Sequence, residues 1–222
     1  LEKKVFELLY NLEKGDKEVV RKFSKIVKTC VKGQEKILSE MGINYDFFDY
    51  ESKYMDISKN ILNQLKKTGK LFKDEEGRLI LNQKGTAVEK KMKSPVLVLT
   101  RSDGTGLYPL RDIAYSIEKS KRAEKNIIIL GEDQKLYFEQ IREALKILNV
   151  EAPQVVHYSF ILLKEKNKSK KMSTRKGEVV LLEDFIKLAI AKAKKEIAKR
   201  KTKGNPNIVG VGAVKYSILR NN

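Results

Sequence analysis

From Pro95 onward the chain alternates between short apolar runs and longer segments of helical periodicity. Val96-Leu97-Val98-Leu99 and Ile127-Ile128-Ile129-Leu130 are continuous apolar runs, as strands covered on both faces require. Residues 155–163 form a third strand candidate. Between them, residues 110–119 and 136–148 show helix spacing, the second with Phe138, Ile141, Leu145 and Leu148 on one face. Strand, helix, strand, helix, strand predicts parallel βαβ units, and so half of a doubly wound α/β sheet over residues 95–176. Ligands of such sheets collect at the carboxyl ends of the strands. Those ends are 100–106, 131–135 and 164–177, the most polar glycine-bearing stretches of this half. They are expected to converge on one edge.

The first half reads differently. Val5, Leu8, Leu9 and Leu12 repeat at helix spacing until Gly15-Asp16 breaks the run. A second helix carries Val19, Val20, Phe23, Ile26, Val27, Cys30 and Val31 on one face, with Gly33 as a possible break before Gly42. Cys30 falls in the apolar stripe and is expected to be buried. Residues 44–57 are aromatic and irregular, and 58–69 read as a helix stopped by Gly69. Residues 70–73 and 78–81 read as short strands around a turn at 74–77. Residues 182–200 form an amphipathic helix, and a last helix starts near Asn207. The expected divisions are a helical and mixed inserted region at 1–93, the half-sheet at 94–182, and a helical segment at 183–222.

Forty-seven Lys and Arg against 29 Asp and Glu leave a net charge of +18. That excess predicts a polyanionic partner, with a Lys-rich solubilising surface as the competing reading. No apolar run approaches the ~18 residues of a membrane-spanning helix. The one cysteine, Cys30, and the one histidine, His157, exclude an internal disulfide framework, a Cys-rich zinc site and a two-histidine metal site. This pattern fits a reducing, cytoplasmic setting. His157, in an apolar strand, reads as a satisfied core histidine. No secretory segment opens the chain, which starts at Leu1 inside a helical pattern; we expect an excised piece of a longer protein.

The stretch after the third strand is strongly basic. Lys164, Lys166, Lys168, Lys170, Lys171, Arg175 and Lys176 face only Glu165. Such a loop can wrap a triphosphate and neutralise charge developing on a leaving pyrophosphate, with Gly177 as a hinge. A solvated charge run is the plainer alternative. Met172 is an apolar anchor that a merely solvated run does not need.

Lys171-Met172-Ser173-Thr174-Arg175-Lys176-Gly177 resembles the second signature loop of the class I aminoacyl-tRNA synthetases, in the form found in the arginyl-tRNA synthetase family. Arg101-Ser102-Asp103-Gly104-Thr105 and Tyr108-Pro109-Leu110-Arg111-Asp112-Ile113-Ala114-Tyr115 resemble a further block of that family. Gly131-Glu132-Asp133-Gln134 sits where the family has a Gly-x-Asp strand end, and residues 210–219 resemble the entry to its anticodon-binding helices. The resemblance runs in order over nearly the whole chain. The family's first signature, His-Ile-Gly-His, is absent from these 222 residues, and Thr174 stands where most class I enzymes carry a second lysine.

The resemblance implies the second half of a class I Rossmann-like parallel sheet, and activation of L-arginine with ATP followed by esterification of tRNA(Arg). It implies that Tyr108, Asp112 and Gln134 bind arginine. Gly131, Asp133, Met172 and Lys171 would bind ATP, and Lys171, Ser173, Arg175 and Lys176 would act in catalysis. It implies Mg²⁺ carried on the phosphates with no dedicated protein metal site, no membrane, and a monomer in the full-length enzyme. A planar guanidinium calls for a carboxylate, and Asp112 stands at i+4 from Tyr108, so both can share a helix face. From spacing alone Asp112 also reads as a carboxylate favoured by a helix N-terminus, Tyr108 as ordinary packing, and Gly131 with Asp133 as a strand-end turn. Asp103-Gly104 reads as a β-turn, and Arg111 as a salt-bridged support. A different class of function is a non-catalytic basic RNA-binding module, supported by the net charge and the basic helix at 187–203. The chain alone is expected to be inactive.

Overall fold

The computed structural model of the chain describes residues 2–159, 163–165, 168–170 and 181–220, and side chains outside 163–170. The described residues form two compact units. The first comprises residues 1–27 and 46–157, and the second residues 28–45 and 158–222.

The first unit is built around helix α3 (Met55–Lys67), the strands β1 (Leu71–Lys73), β2 (Leu79–Asn82) and β3 (Val96–Val98), and helix α4 (Tyr108–Ser120). Strand β4 (Ile127–Gly131), helix α5 (Lys135–Ile147) and strand β5 (Gln154–Tyr158) complete it. Helix α1 (Glu2–Glu13) precedes them. A single core runs through Ile61, Leu65, Leu81, Leu97, Leu99, Leu110, Ile113, Phe138, Ile141 and Leu145, all at most 4% exposed. Its helical members, Ile61 and Leu65, Leu110 and Ile113, and Phe138, Ile141 and Leu145, recur at helix spacing on one face of each helix. Gly77 turns the β1–β2 hairpin at φ 82°, a conformation that costs any residue with a Cβ.

The β–α alternation is observed. The N–H of Gln154, at the start of β5, donates to the carbonyl of Asn126, just before β4, at 2.9 Å. Both strands therefore begin at the same end and run parallel, with α5 as the crossover. One expectation needs correcting. β3 is not the first strand of that parallel sheet among the described residues. It pairs antiparallel with β2, Leu81 opposite Leu97, and β2 pairs antiparallel with β1. An apolar run marks a strand but settles neither which partner covers its edge nor that both faces are covered: Ile127 and Ile129 of β4 are exposed. This antiparallel pairing also crosses the division expected after residue 93. Strand β5 is shorter than expected, ending at Tyr158.

The second unit holds the C-terminal part of helix α2 (Lys17–Glu40), the β6 (Leu163–Glu165) and β7 (Lys168–Lys170) hairpin, and helices α6 (Leu182–Lys199) and α7 (Pro206–Leu219). Gly33 does not interrupt α2, which is continuous; its start is capped by Asp16, whose Oδ1 accepts the Val19 N–H at 2.9 Å. No residue of α1 or α2 is buried, and Cys30 is exposed rather than buried. An amphipathic stripe predicts the helix, but burial needs a covering partner. A small core of Met41, Ile186 and Val214 holds this unit. Gly210 of α7 lies so near α6 that a Cβ would come within 2.7 Å of the Ile190 Cα. Asn205 caps α7 by accepting the Asn207 N–H at 2.9 Å.

Among the described residues no helix is long and apolar enough to cross a membrane.

Candidate functional site

The loop after β3 is a closed turn rather than an open polar strand end. The Asp103 Oδ1 accepts both the N–H of Thr105 at 2.8 Å and its hydroxyl at 2.7 Å. Gly104 takes φ 84°, and the Arg101 N–H bonds the Thr105 carbonyl at 2.8 Å. Burial alone would raise the Asp103 carboxyl, but the two Thr105 hydrogen bonds and nearby Arg101 hold it below the usual carboxylate range. Asp103-Gly104 is thus the turn its sequence suggests.

The turn delivers the chain into α4, with Pro109 in its first turn. Arg111 points to the acidic residues around it. Its guanidinium contacts Glu13 at 2.5 Å and Glu51 at 2.7 Å, and donates to the Gly106 carbonyl at 3.1 Å. Glu13 also accepts the Gly106 N–H at 3.0 Å. Arg111 is therefore a salt-bridged support, holding α1, the Glu51–Tyr54 turn and the 100–106 loop to α4. A cavity of about 170 Å³ in this region is lined by Tyr10, Glu13, Ser58, Asp103, Gly106 and Arg111, among others, but by none of Tyr108, Asp112 and Gln134.

Asp112 faces α5. The hydroxyl of Tyr137 donates to its Oδ2 in a short hydrogen bond. The Tyr137 ring also meets the Tyr108 ring, centroids 5.1 Å apart and planes tilted by 50°. Tyr108 is 59% exposed and Asp112 half-buried. Burial raises the Asp112 carboxyl above the ordinary range and Glu51 adds to this, while the Tyr137 hydrogen bond and Lys119 pull the other way. The Tyr137 phenol is driven far up, by burial first and then by the Asp112 charge, so it stays protonated. Lys119 is half-buried, its Nζ 4.4 Å from the centre of the Tyr115 ring. Burial lowers its pKa, and Asp112 and Asp49 offset part of that.

The structure thus brings Tyr108 and Asp112 onto one face of α4, joined to α5 by Tyr137. Gln134 closes the short 3₁₀ turn Glu132–Gln134 ahead of α5, one turn before Tyr137, and is half-buried; Asp133 beside it is exposed. Gly131 is buried at the end of β4 with φ −64° and ψ 154°. That extended conformation is open to any residue, so backbone shape does not explain a glycine there. Lys171, Met172, Ser173, Thr174, Arg175, Lys176 and Gly177 lie outside the described residues. The Nδ1 of half-buried His157 is buried and has no hydrogen-bond partner among the described residues, so the expected satisfied histidine is not what is seen. Sequence reasoning missed Tyr137. Its place at i+3 from Gln134, on the helix after the β4 strand end, was the available signal.

The end of β4, the short polar turn after it and the starts of α4 and α5 thus bring Asp112, Tyr137, Tyr108 and Gln134 into one neighbourhood. The same fold is seen in arginyl-tRNA synthetase from Plasmodium falciparum, with a TM-score of 0.73 at 18% identity, covering 97% of this chain and 36% of that one. It is also seen in Thermus thermophilus arginyl-tRNA synthetase, again at 0.73, with 19% identity, covering 98% and 42%. The fold is that of the catalytic region of a class I aminoacyl-tRNA synthetase. Within that class, the chain belongs to the family described as class I tRNA synthetases (R), catalytic domain, whose profile matches residues 1–222. Among curated proteins, it is 37% identical to the arginine–tRNA ligase of Methanocaldococcus jannaschii over 99% of this chain and 38% of that protein. It is 39% identical to the arginine–tRNA ligase of Methanococcus aeolicus over 94% of this chain and 36% of that protein. The chain therefore spans well under half the length of these relatives.

Proposed function

We propose that the protein carrying this chain is an arginine–tRNA ligase, and that the chain supplies part of its catalytic region. In the first step an oxygen of the arginine carboxylate attacks the α-phosphorus of ATP. The bond to the bridging oxygen breaks, pyrophosphate leaves with that electron pair, and arginyl-adenylate remains. In the second, a hydroxyl at the 3′ end of tRNA(Arg) attacks the acyl carbon, AMP leaves, and the hydroxyl proton is released. Neither step demands a nucleophilic side chain, so positioning and charge neutralisation carry the rate.

The observation that carries this reading is the half-buried Asp112 carboxylate held by the hydroxyl of Tyr137, whose ring rests on Tyr108, in a chain whose whole length matches the family. In the proposed site, Asp112 pairs with the guanidinium, Tyr108 packs against the side chain, and Gln134 contacts the amino acid. Gly131 and Asp133 approach the nucleoside. Lys171, Ser173, Arg175 and Lys176 neutralise the phosphates, with Met172 anchoring their loop; this rests on the Lys-Met-Ser-Thr-Arg-Lys-Gly sequence. Mg²⁺ would ride on the ATP phosphates and supply charge neutralisation there. The enzyme is proposed to act as a cytoplasmic monomer.

The test is arginine-dependent ATP–pyrophosphate exchange by the full-length protein. Asp112→Asn should raise the KM for arginine about 100-fold, as loss of a charge-assisted, partly desolvated pair predicts. Lys171→Ala with Lys176→Ala should abolish exchange while tRNA affinity is largely kept. Unchanged exchange with a uniform fall in RNA affinity would overturn this reading in favour of a basic RNA-binding module.

A further inference from the structure

We infer that Tyr137 is a positioning residue for amino-acid recognition: its hydroxyl pins the Asp112 carboxylate in one orientation, so that the remaining oxygen faces a guanidinium beside Tyr108. The inference rests on the proposed pairing of Asp112 with arginine.

Four observations carry it. Among the described residues, the Tyr137 hydroxyl is the one hydrogen-bond donor to the Asp112 side chain, and it engages Oδ2 alone. An aspartate's terminal torsion is otherwise broad, and a planar fork is sensitive to the plane of its carboxylate. Second, Tyr137 is itself fixed. Phe138 and Ile141 of the same helix are buried in the core, and its ring rests on Tyr108 at 5.1 Å. Third, the phenol remains protonated and hence a donor. Fourth, it is neutral. A lysine or arginine in its place would pin the carboxylate equally well but would also neutralise it and repel the substrate cation. Arg111, the nearest arginine in sequence, has its guanidinium engaged by Glu13 and Glu51. The structure therefore pairs Asp112 with a donor that orders it without consuming its charge.

The groups acting on Asp112 are Tyr137 from α5, Glu51 from the Glu51–Tyr54 turn, and Lys119 from α4 itself. Burial and Glu51 favour its protonated form, whereas Tyr137 and Lys119 favour the carboxylate. Removing the phenol hydroxyl should therefore weaken arginine binding most at low pH.

The experiment uses the full-length enzyme and arginine-dependent ATP–pyrophosphate exchange. Tyr137→Phe keeps the ring and removes the donor. It should raise the KM for arginine on the order of tenfold, while kcat and the KM for ATP stay within about twofold. The acid limb of kcat/KM for arginine should move to higher pH. Replacing Tyr137 with 3,5-difluorotyrosine, a stronger donor of the same shape, should move that limb to lower pH, and keeps the inference testable if the phenylalanine variant folds poorly. A folded Tyr137→Phe enzyme with unchanged KM for arginine and an unmoved acid limb overturns the positioning role, provided Asp112→Asn still raises that KM. If Asp112→Asn leaves the KM unchanged too, the arginine-site reading falls, and the role of Tyr137 falls with it.

Discussion

The helix pair α4/α5 in the first unit and the helix pair α6/α7 in the second solve the packing problem in opposite ways. α4 and α5 are held by large side chains: Leu110, Ile113, Phe138, Ile141 and Leu145 interlock in one core. That spacing leaves room for a polar contact, and Asp112 with Tyr137 occupies it. α6 and α7 meet almost backbone to backbone at Gly210 and Ile190, with few buried apolar residues around the contact. The first arrangement can host a half-buried carboxylate because side-chain volume keeps the helices apart. The second has no such gap, so its geometry depends on the absence of one methyl group.

Four substitutions test this contrast. Leu145→Ala should be the most damaging, costing about 3 kcal/mol because the fully buried side chain leaves a cavity. Denaturant unfolding measures it, and hydrogen exchange should rise along α4 and α5. Gly210→Ala should cost about 2 kcal/mol by overpacking, with the loss of protection seen in α6 and α7. A neutral Gly210→Ala would show that the two helices can part without penalty. Glu13→Gln should cost about 1 kcal/mol, since Arg111 keeps Glu51 but loses its closest partner. Asp112→Asn should change stability least and in the opposite direction. Burial raises the Asp112 pKa in the folded chain. The folded state therefore holds that proton more tightly than the unfolded one, and this group's contribution to stability falls as pH rises from the unfolded value near ~4 through the folded one. Asp112→Asn should remove that slope and match or exceed the parent at neutral pH, measured by unfolding across a pH series. A fall in stability at neutral pH would mean that the carboxylate helps hold α4 to α5 rather than standing ready for a substrate.

Helices α3 to α7 and the β4–α5–β5 unit were legible in the sequence because each satisfies a local rule. Periodicity sets the buried face, Gly or Pro sets an end, and a short β-branched run sets a strand. Tyr108 and Asp112 were legible as a pair because helix spacing alone puts them on one side. Tyr137 was not: its contact with Asp112 spans 25 residues, and no local rule reaches that far. The partner of β3 was hidden for the same reason, since Leu97 is equally apolar beside a parallel or an antiparallel neighbour. Cys30 shows the converse, a residue with the correct pattern and no cover.

Local order is a property of neighbours a few residues apart, so the amino-acid sequence alone determined the helices, the β–α rhythm and the family they belong to. Which strand lies beside β3, and which hydroxyl orders Asp112, were decided only when distant segments met. Those choices depend on how side-chain volumes fill shared space, which no single segment contains.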